Sequence, residues 1–477
     1  MVTRRRVLGW TAALTAGAGI AKRFGTFAAA APADGALAAD QLKGKIFYKG
    51  DAQYEPFRVA STWNARKPDR FPEAIVLPQS DTDVIAAVKL AKERGWQIGT
   101  RSGGHSWNAP HTRDGALLIN LARMKELTVD PAARVAVVSP SWRGEAFNKV
   151  LREQHQLIFP AAHCVGVGLG GFVLSGGHGW NRQVFGLGCE NLHALDVVTA
   201  DGELIHADDS HNSDYLWAAR GAGPAFFGVA VRFYLRLHPF PTHTRSTVYV
   251  YPPEVIDEVI AWFDRTPLLD HMEATLMRVS SDGKPAYKIR AGTFGYSEDQ
   301  ASAAAAVFES CPVVNRAIVR QVNVPAILPS DVETPNELSP TGARYACDGA
   351  WVNASAGAVY ELLKEEFAQE LPSPQSRVLM GGWRPKEKVL GDMAYSMTGA
   401  AYVSPTAVYY DPADDARCTA WVRRIVERVR PVSIGSQVND ENTPANKGPY
   451  FSKESAARLE KLRAKYDPDR HFVAFLS

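Results

Sequence analysis

Two glycine-rich stretches concentrate the chemistry of this chain. The first is Thr100-Arg101-Ser102-Gly103-Gly104-His105-Ser106. The second runs Cys164-Val165-Gly166-Val167-Gly168-Leu169-Gly170-Gly171, continues as Ser175-Gly176-Gly177-His178-Gly179-Trp180 and closes with Gly186-Leu187-Gly188. Glycine permits positive φ and close backbone approach, and successive bare N–H groups form anion-binding nests suited to a pyrophosphate. Tight turns in a β-rich domain use the same residues, so either stretch alone leaves both readings open. His105, Cys164 and His178 add two imidazoles and a thiol, groups that serve as nucleophiles or proton carriers.

Two familiar assignments fit these stretches poorly. Gly166, Gly168 and Gly171 have Gly-x-Gly-x-x-Gly spacing, but that dinucleotide motif follows a buried strand, and Phe159-Pro160-Ala161-Ala162-His163 does not read as one. More glycines also follow than that turn requires. His105, His163, Cys164 and His178 are metal-ligand types, yet no Cys-x-x-Cys or His-x-x-x-His pair sets tetrahedral geometry, and no metal site is assigned.

The elements around the loops are legible from periodicity. Residues 74–77 form a short apolar strand, and residues 81–94 have helical spacing after a Ser80/Asp81 cap. Residues 97–100 make a second strand running straight into Arg101. Between 131 and 240 the pattern is mainly short strands (134–139, 194–199, 203–206, 228–237) around one long glycine loop. His238-Pro239-Phe240-Pro241 marks a boundary. Beyond it, strand-like runs (246–251, 273–279, 286–293, 343–352, 406–410) alternate with helical ones (253–263, 298–308, 355–369, 413–429), which implies a sheet with helices on one face. A polar loop, a helix over 453–466 and an Asp467-Pro468-Asp469 turn end the chain. The expected segments are 1–33, 43–240, 241–430 and 431–477.

Composition narrows the class. The chain has 477 residues, of which 46% are hydrophobic and 22% charged, as in packed globular proteins. Arg4, Arg5, Arg6, Lys22 and Arg23 precede the first acid, Asp34. Without them the 53 basic residues become 48 against 51 acids. No basic surplus is left to displace phosphate counterions, which argues against nucleic acid as a partner. Residues 1–33 have a basic start, an apolar run of about fifteen residues and Ala31-Pro32-Ala33 before Asp34, the layout of an export signal too short to span a bilayer. The paired arginines resemble a twin-arginine signal, whose machinery exports folded proteins. An uncleaved anchor is the alternative. A protein outside the cytoplasm with no stable membrane anchoring is expected. Five scattered cysteines do not make a disulfide scaffold, and Cys164 is the thiol expected to have another use.

The ordered motifs Arg101-Ser102-Gly103-Gly104-His105, Cys164-x-x-Val167-Gly168-x-Gly170-Gly171 and Ser175-Gly176-Gly177-His178-Gly179 resemble the berberine bridge enzyme-like FAD-linked oxidases of the vanillyl-alcohol oxidase, or PCMH-type, superfamily. Thr199-Ala200-Asp201-Gly202-Glu203, Asp214–Gly223 with Phe227-Gly228-Val229, and Tyr450-Phe451 with Lys465–Phe472 extend the likeness. It is good over 50–240 and 431–477 and holds only in outline between them. The resemblance implies an α+β fold: a two-part FAD-binding domain from N- and C-terminal segments, and a central substrate domain of antiparallel sheet covered by helices. It further implies FAD bonded through His105 to the C8 methyl and through Cys164 to C6, although some members use the histidine alone. Arg101 to Ser106 and Gly168 to Gly177 would cradle the pyrophosphate, and Asn191, Leu192, Gly228 and Val229 the adenosine end. Val167 matches a position influencing oxygen access, where valine is typical of oxidases.

Departures from the family pattern bear on catalysis. Ser175, His178, Gln183 and Glu190 replace the usual glycine, aromatic, cation and aspartate. Ser436-Gln437-Val438-Asn439 lacks the tyrosine that many members place two residues before the asparagine. Candidate catalytic groups are therefore Asn439, Asp440, Tyr395 and His178, with Glu441, Tyr402 and Tyr409 behind them. Solvated loop acids and alternating strand packing explain Asp440, Glu441 and the tyrosines equally well. Loss of the tyrosine points to a substrate acidic enough to shed its own proton, such as a phenol, hydroquinone or enol. Trp351, Trp383, Tyr287, Phe294 and Tyr345 suit either stacking on a ring or an ordinary core. The expected function is an exported oxidase that takes electrons from a small-molecule alcohol, phenol, hydroquinone or amine, passes them to O2 and yields H2O2. A module sequestering an aromatic compound and a dehydrogenase with another acceptor are the alternatives.

Overall fold

Helix Asp81–Arg94 begins where its cap residues dictate. The Ser80 hydroxyl accepts from the Asp83 N–H, and the Asp83 carboxylate accepts from the Ser80 N–H, a reciprocal capping box. Gly95, at φ 65°, ends it in the left-handed conformation. Val84, Ile85, Val88 and Ala91 face a core shared with strands Ala74–Val76, Gln97–Arg101 and Ala116–Asn120. In this computed structural model, residues 40–326, 339–381, 390–438, 446 and 448–476 are described. The signal-like residues 1–33, Trp383, Asn439, Asp440 and Glu441 lie outside them.

The first sheet has the order Ile46–Tyr48, Ala74–Val76, Ala116–Asn120, Gln97–Arg101. Ala116–Asn120 pairs in parallel with both neighbours, and all five of its residues are buried. Strand Gln97–Arg101 delivers the first glycine stretch from its C-terminal end. A second, antiparallel sheet is ordered Leu127–Asp130, Val135–Val138, Val229–Arg236, Leu192–Val198, Leu204–Ala207. Between Val138 and Leu192 the long glycine segment is not a bare loop. It folds into helices Leu169–Leu174 and Arg182–Phe185. Leu169, Gly170 and Val173 are buried there, so packing overrides the poor helix propensity of the glycines.

The third sheet has nine described strands spanning His243–Gly435. Its central hairpin joins Met272–Ser281 to Lys284–Gly295 through Asp282-Gly283, both at positive φ, as a two-residue turn requires. Helices Ile256–Arg265, Ala356–Phe367 and Asp415–Val429 cover one face. The last buries Cys418, Trp421, Val422, Ile425 and Val429, a 3–4-residue stripe. Strand residues alternate between faces. Ala274, Leu276, Ala350, Val352, Ala401 and Val403 meet the helices. Glu273, Trp351 and Tyr402 therefore point the other way, toward the glycine segment. The expected α+β architecture, with helices on an antiparallel sheet, is the one observed.

The C-terminal segment returns to the first sheet. Helix Lys453–Tyr466 carries buried Arg463, which donates to the carbonyls of Ala225 and Phe472. Asp467 accepts the N–H groups of His471 and Phe472, and Ile98 exchanges backbone hydrogen bonds with His471 and Val473. Phe472 and Val473 are thereby set beside the end of strand Gln97–Arg101.

Candidate active site

The two glycine stretches meet backbone to backbone. A Cβ on Gly103 would lie 2.4 Å from the Gly168 nitrogen, and one on Gly170 would lie 2.7 Å from Ser102 Oγ. The Pro140 carbonyl accepts from both Ser102 Oγ (2.9 Å) and Gly170 N (2.8 Å), pinning the stretches together. Arg101 donates to Ser61 O, Asn120 Oδ1 and Gly103 O, so its guanidinium holds the first loop in shape. Burial pushes its pKa down to about 10.

One cavity runs along this junction. Arg101, Ser102, Gly103, Gly104, His105 and Ser106 line it, as do Cys164, Val167, Gly168, Gly170, Gly171, Gly177, His178 and Gly228. Five other expected contacts lie elsewhere. Gly176 packs under the Tyr395 ring and Gly179 against the Pro160 carbonyl. Leu192 and Val229 belong to hydrophobic cores. Asn191 donates to the Phe185 and Leu187 carbonyls and accepts from His238, shaping a turn. The cavity also takes in His163, Phe226, Gln437, Val438, Phe472 and Val473, which sequence reasoning did not place there. Only the C-terminal signature around Phe472 offered a signal.

His105 is half-buried with its Nε2 inaccessible, and it stacks on Trp63 with centroids 4.2 Å apart and planes 17° apart, while Trp63 stacks in turn on Tyr345. Burial, opposed by local backbone hydrogen bonds, holds the imidazole down to about 4, so it is neutral at pH 7. Its Nε2 has no partner among the described residues, an unusual state for a buried nitrogen. Cys164 is partly exposed, with Sγ 3.8 Å from Ser339 Oγ, whereas Cys189, Cys311, Cys347 and Cys418 are buried. Gly171 is exposed to the cavity, with open space where a Cβ would be. An unpaired imidazole nitrogen, a reachable thiol and an open glycine cradle fit a flavin dinucleotide.

Next to the second glycine stretch lies a buried polar chain. Arg182 donates to His178 Nδ1 at 2.8 Å, and His178 Nε2 is 2.5 Å from the Tyr395 hydroxyl. A guanidinium can only donate, so these hydrogen bonds assign the neutral ring's proton to Nε2, which donates to Tyr395. Burial first, then the Arg182 charge, hold His178 well below the imidazole range. Both ring nitrogens are committed, which corrects the expectation of His178 as a free base. Tyr395 is not a strand residue either. It sits in an irregular segment, almost fully buried behind His178. Tyr402 packs on Trp351, Tyr409 faces the helices and Tyr410 is exposed. Of the aromatic residues, Trp351 approaches His178, Phe294 packs on Trp180 and Tyr287 is core.

Comparisons with known proteins agree with this geometry. Residues 72–208 match the family model of an FAD binding domain. The FAD-linked oxidoreductase nodO of Hypoxylon pulicicidum is 31% identical over 418 residues, which is 85% of this chain and 91% of the relative. BBE-like 1 of Physcomitrella patens superposes with a TM-score of 0.77 at 20% identity, covering 92% of this chain and 98% of that one. The 6-hydroxy-D-nicotine oxidase of Arthrobacter nicotinovorans gives 0.77 at 20%, with 90% and 96% covered. With the glycine cradle, the cavity and a relative matched over most of its length in agreement, the chain belongs to the FAD-linked oxidoreductases and has the fold of BBE-like 1.

Proposed function

We propose that this enzyme is an exported oxidase whose FAD is bonded to both His105 and Cys164. It oxidises an alcohol, phenol, hydroquinone or amine group of a secondary metabolite or sugar and reduces O2 to H2O2. The observation that carries the reading is that a neutral, unpaired imidazole and the one cysteine that is not buried line the same cavity. When bound, FAD supplies a two-electron acceptor. Each tether replaces one N–H or S–H hydrogen and one flavin C–H hydrogen with an N–C or S–C bond. The two electrons and two protons released leave as H2O2 after transfer to O2.

The residues divide the remaining work. The amides of Gly103, Gly104, Gly168 and Gly170 hold the pyrophosphate, and Gly171 leaves room for it. Trp63 keeps the His105 ring at a fixed angle. Val167, on the cavity wall, leaves space for O2 on the oxidase reading. Residues 1–33 address the protein to twin-arginine export, which suits a cofactor that could not be replaced outside the cell.

Acid precipitation of the purified protein tests the tethers. A yellow pellet with the mass of one added FAD is expected, and chromophore in the supernatant would falsify the covalent reading. H2O2 release in a substrate screen, with rapid reoxidation by air after photoreduction, tests the acceptor. A mature N-terminus at Asp34 in the exported protein tests the address.

A further inference from the structure

The cavity is bounded toward the large sheet by a buried polar cluster. His163 lines it, one residue ahead of Cys164. Its Nε2 lies 2.5 Å from Oε1 of Glu273, which projects from strand Met272–Ser281. The other oxygen, Oε2, accepts the Asn181 N–H at 2.7 Å. Both carboxylate oxygens are engaged, which fixes the carboxylate's orientation. Burial pushes the Glu273 carboxyl up, but His163, the Asn181 N–H and Arg290 together outweigh it and hold it below its ordinary value. An ionised carboxylate only accepts, so the His163 proton belongs on Nε2 and Nδ1 is the basic nitrogen. A carboxylate that fixes an imidazole tautomer in this way also stabilises the imidazolium formed when the ring takes a proton.

We propose that His163, oriented by Glu273, is the base that removes the O–H or N–H proton of the substrate. The inference rests on the tethering reading. His163 and Cys164 are chain neighbours lining one cavity, so a flavin held through Cys164 would lie beside His163. Each turnover then balances. A bound FAD would supply the acceptor for the hydride of the substrate carbon, while the substrate oxygen or nitrogen gives its proton to His163. O2 takes the two electrons and, with the proton returned from His163, both protons, leaving as H2O2. His178 cannot fill this role, since Arg182 and Tyr395 occupy its two nitrogens. The surroundings also await a polar ligand. Trp180 Nε1, both amide atoms of Asn181 and Trp351 Nε1 are buried without partners among the described residues, although buried polar groups normally have them. The ionisable groups facing the pair are His178 and Arg182 on the glycine segment, Arg290 on the adjacent strand, and Cys164 beside it.

Nitrogen-resolved NMR of holoprotein labelled at histidine reads this arrangement with no substrate present, and His163→Asn identifies the signal. The expected result is a ring whose proton sits on Nε2. Glu273→Gln, nearly isosteric, should lose that tautomer preference. A proton on Nδ1 overturns the proposal. With hydroquinone as anaerobic reductant, flavin bleaching in His163→Asn should be at least about 100-fold slower than in the parent, and equal rates count against it. The acid pellet of each sample separates the two readings. A pale pellet from the parent protein sinks the tethers, whereas a yellow pellet with a proton on His163 Nδ1 sinks this inference alone.

Discussion

Gly103 and Gly168 touch backbone to backbone, and a methyl on either would sit within 2.5 Å of the other's amide nitrogen. Neither loop can yield without moving the strand or helix that carries it. Gly103→Ala should therefore lose both fold stability and flavin, by about 1–3 kcal/mol for the overpacking alone. Gly171→Ala meets nothing within 4 Å, so it should fold normally and fail mainly in FAD content. Melting temperature and the absorbance of bound flavin, measured on both variants, check the contrast.

Cys164→Ser should keep the flavin in the acid pellet through His105, while His105→Ala combined with Cys164→Ser releases it all. Mass spectrometry of the two proteins decides the matter. Loss of all covalent flavin in the single cysteine variant would contradict the assignment of His105.

The polar chain behind the site should be structural in its weight. Tyr395→Phe strips the acceptor from the His178 Nε2–H, which burial denies to water. A buried donor left unsatisfied costs about 1–3 kcal/mol. Denaturant unfolding should show that loss, with covalent flavin unchanged in the pellet.

Acid should weaken the fold through histidines that the folded chain holds neutral. Burial holds His193 and His238 down to about 4 and His111 to about 3, against 6.5 for the free side chain. Between those values the unfolded chain binds more protons than the native one, so stability present above pH 6.5 is lost as pH falls toward 4. The melting temperature should drop across that window. His111→Gln, at a position where the ring nitrogen meets the Ser61 carbonyl, should make the drop shallower.

Local chemistry wrote much of this protein where the sequence could show it. Ser80, Asp83 and Gly95 bracket their helix by hydrogen bonds between near neighbours. The 3–4-residue stripe of helix Asp415–Val429 and the alternating strands report their buried faces in the same short range. The glycine stretches announced a cradle because only glycine admits such close backbone approach. What lay beyond sequence reading depends on residues brought together from far apart. Nothing near His163 signals Glu273, which reaches it from a strand 110 residues further along the chain, and Tyr395 finds His178 from an irregular segment with no period of its own. Propensity and spacing act over a few residues, whereas the partner of a buried polar group is chosen by how whole sheets pack. The cradle was therefore written in the chain, and the partners of His163 and His178 were decided only by the fold.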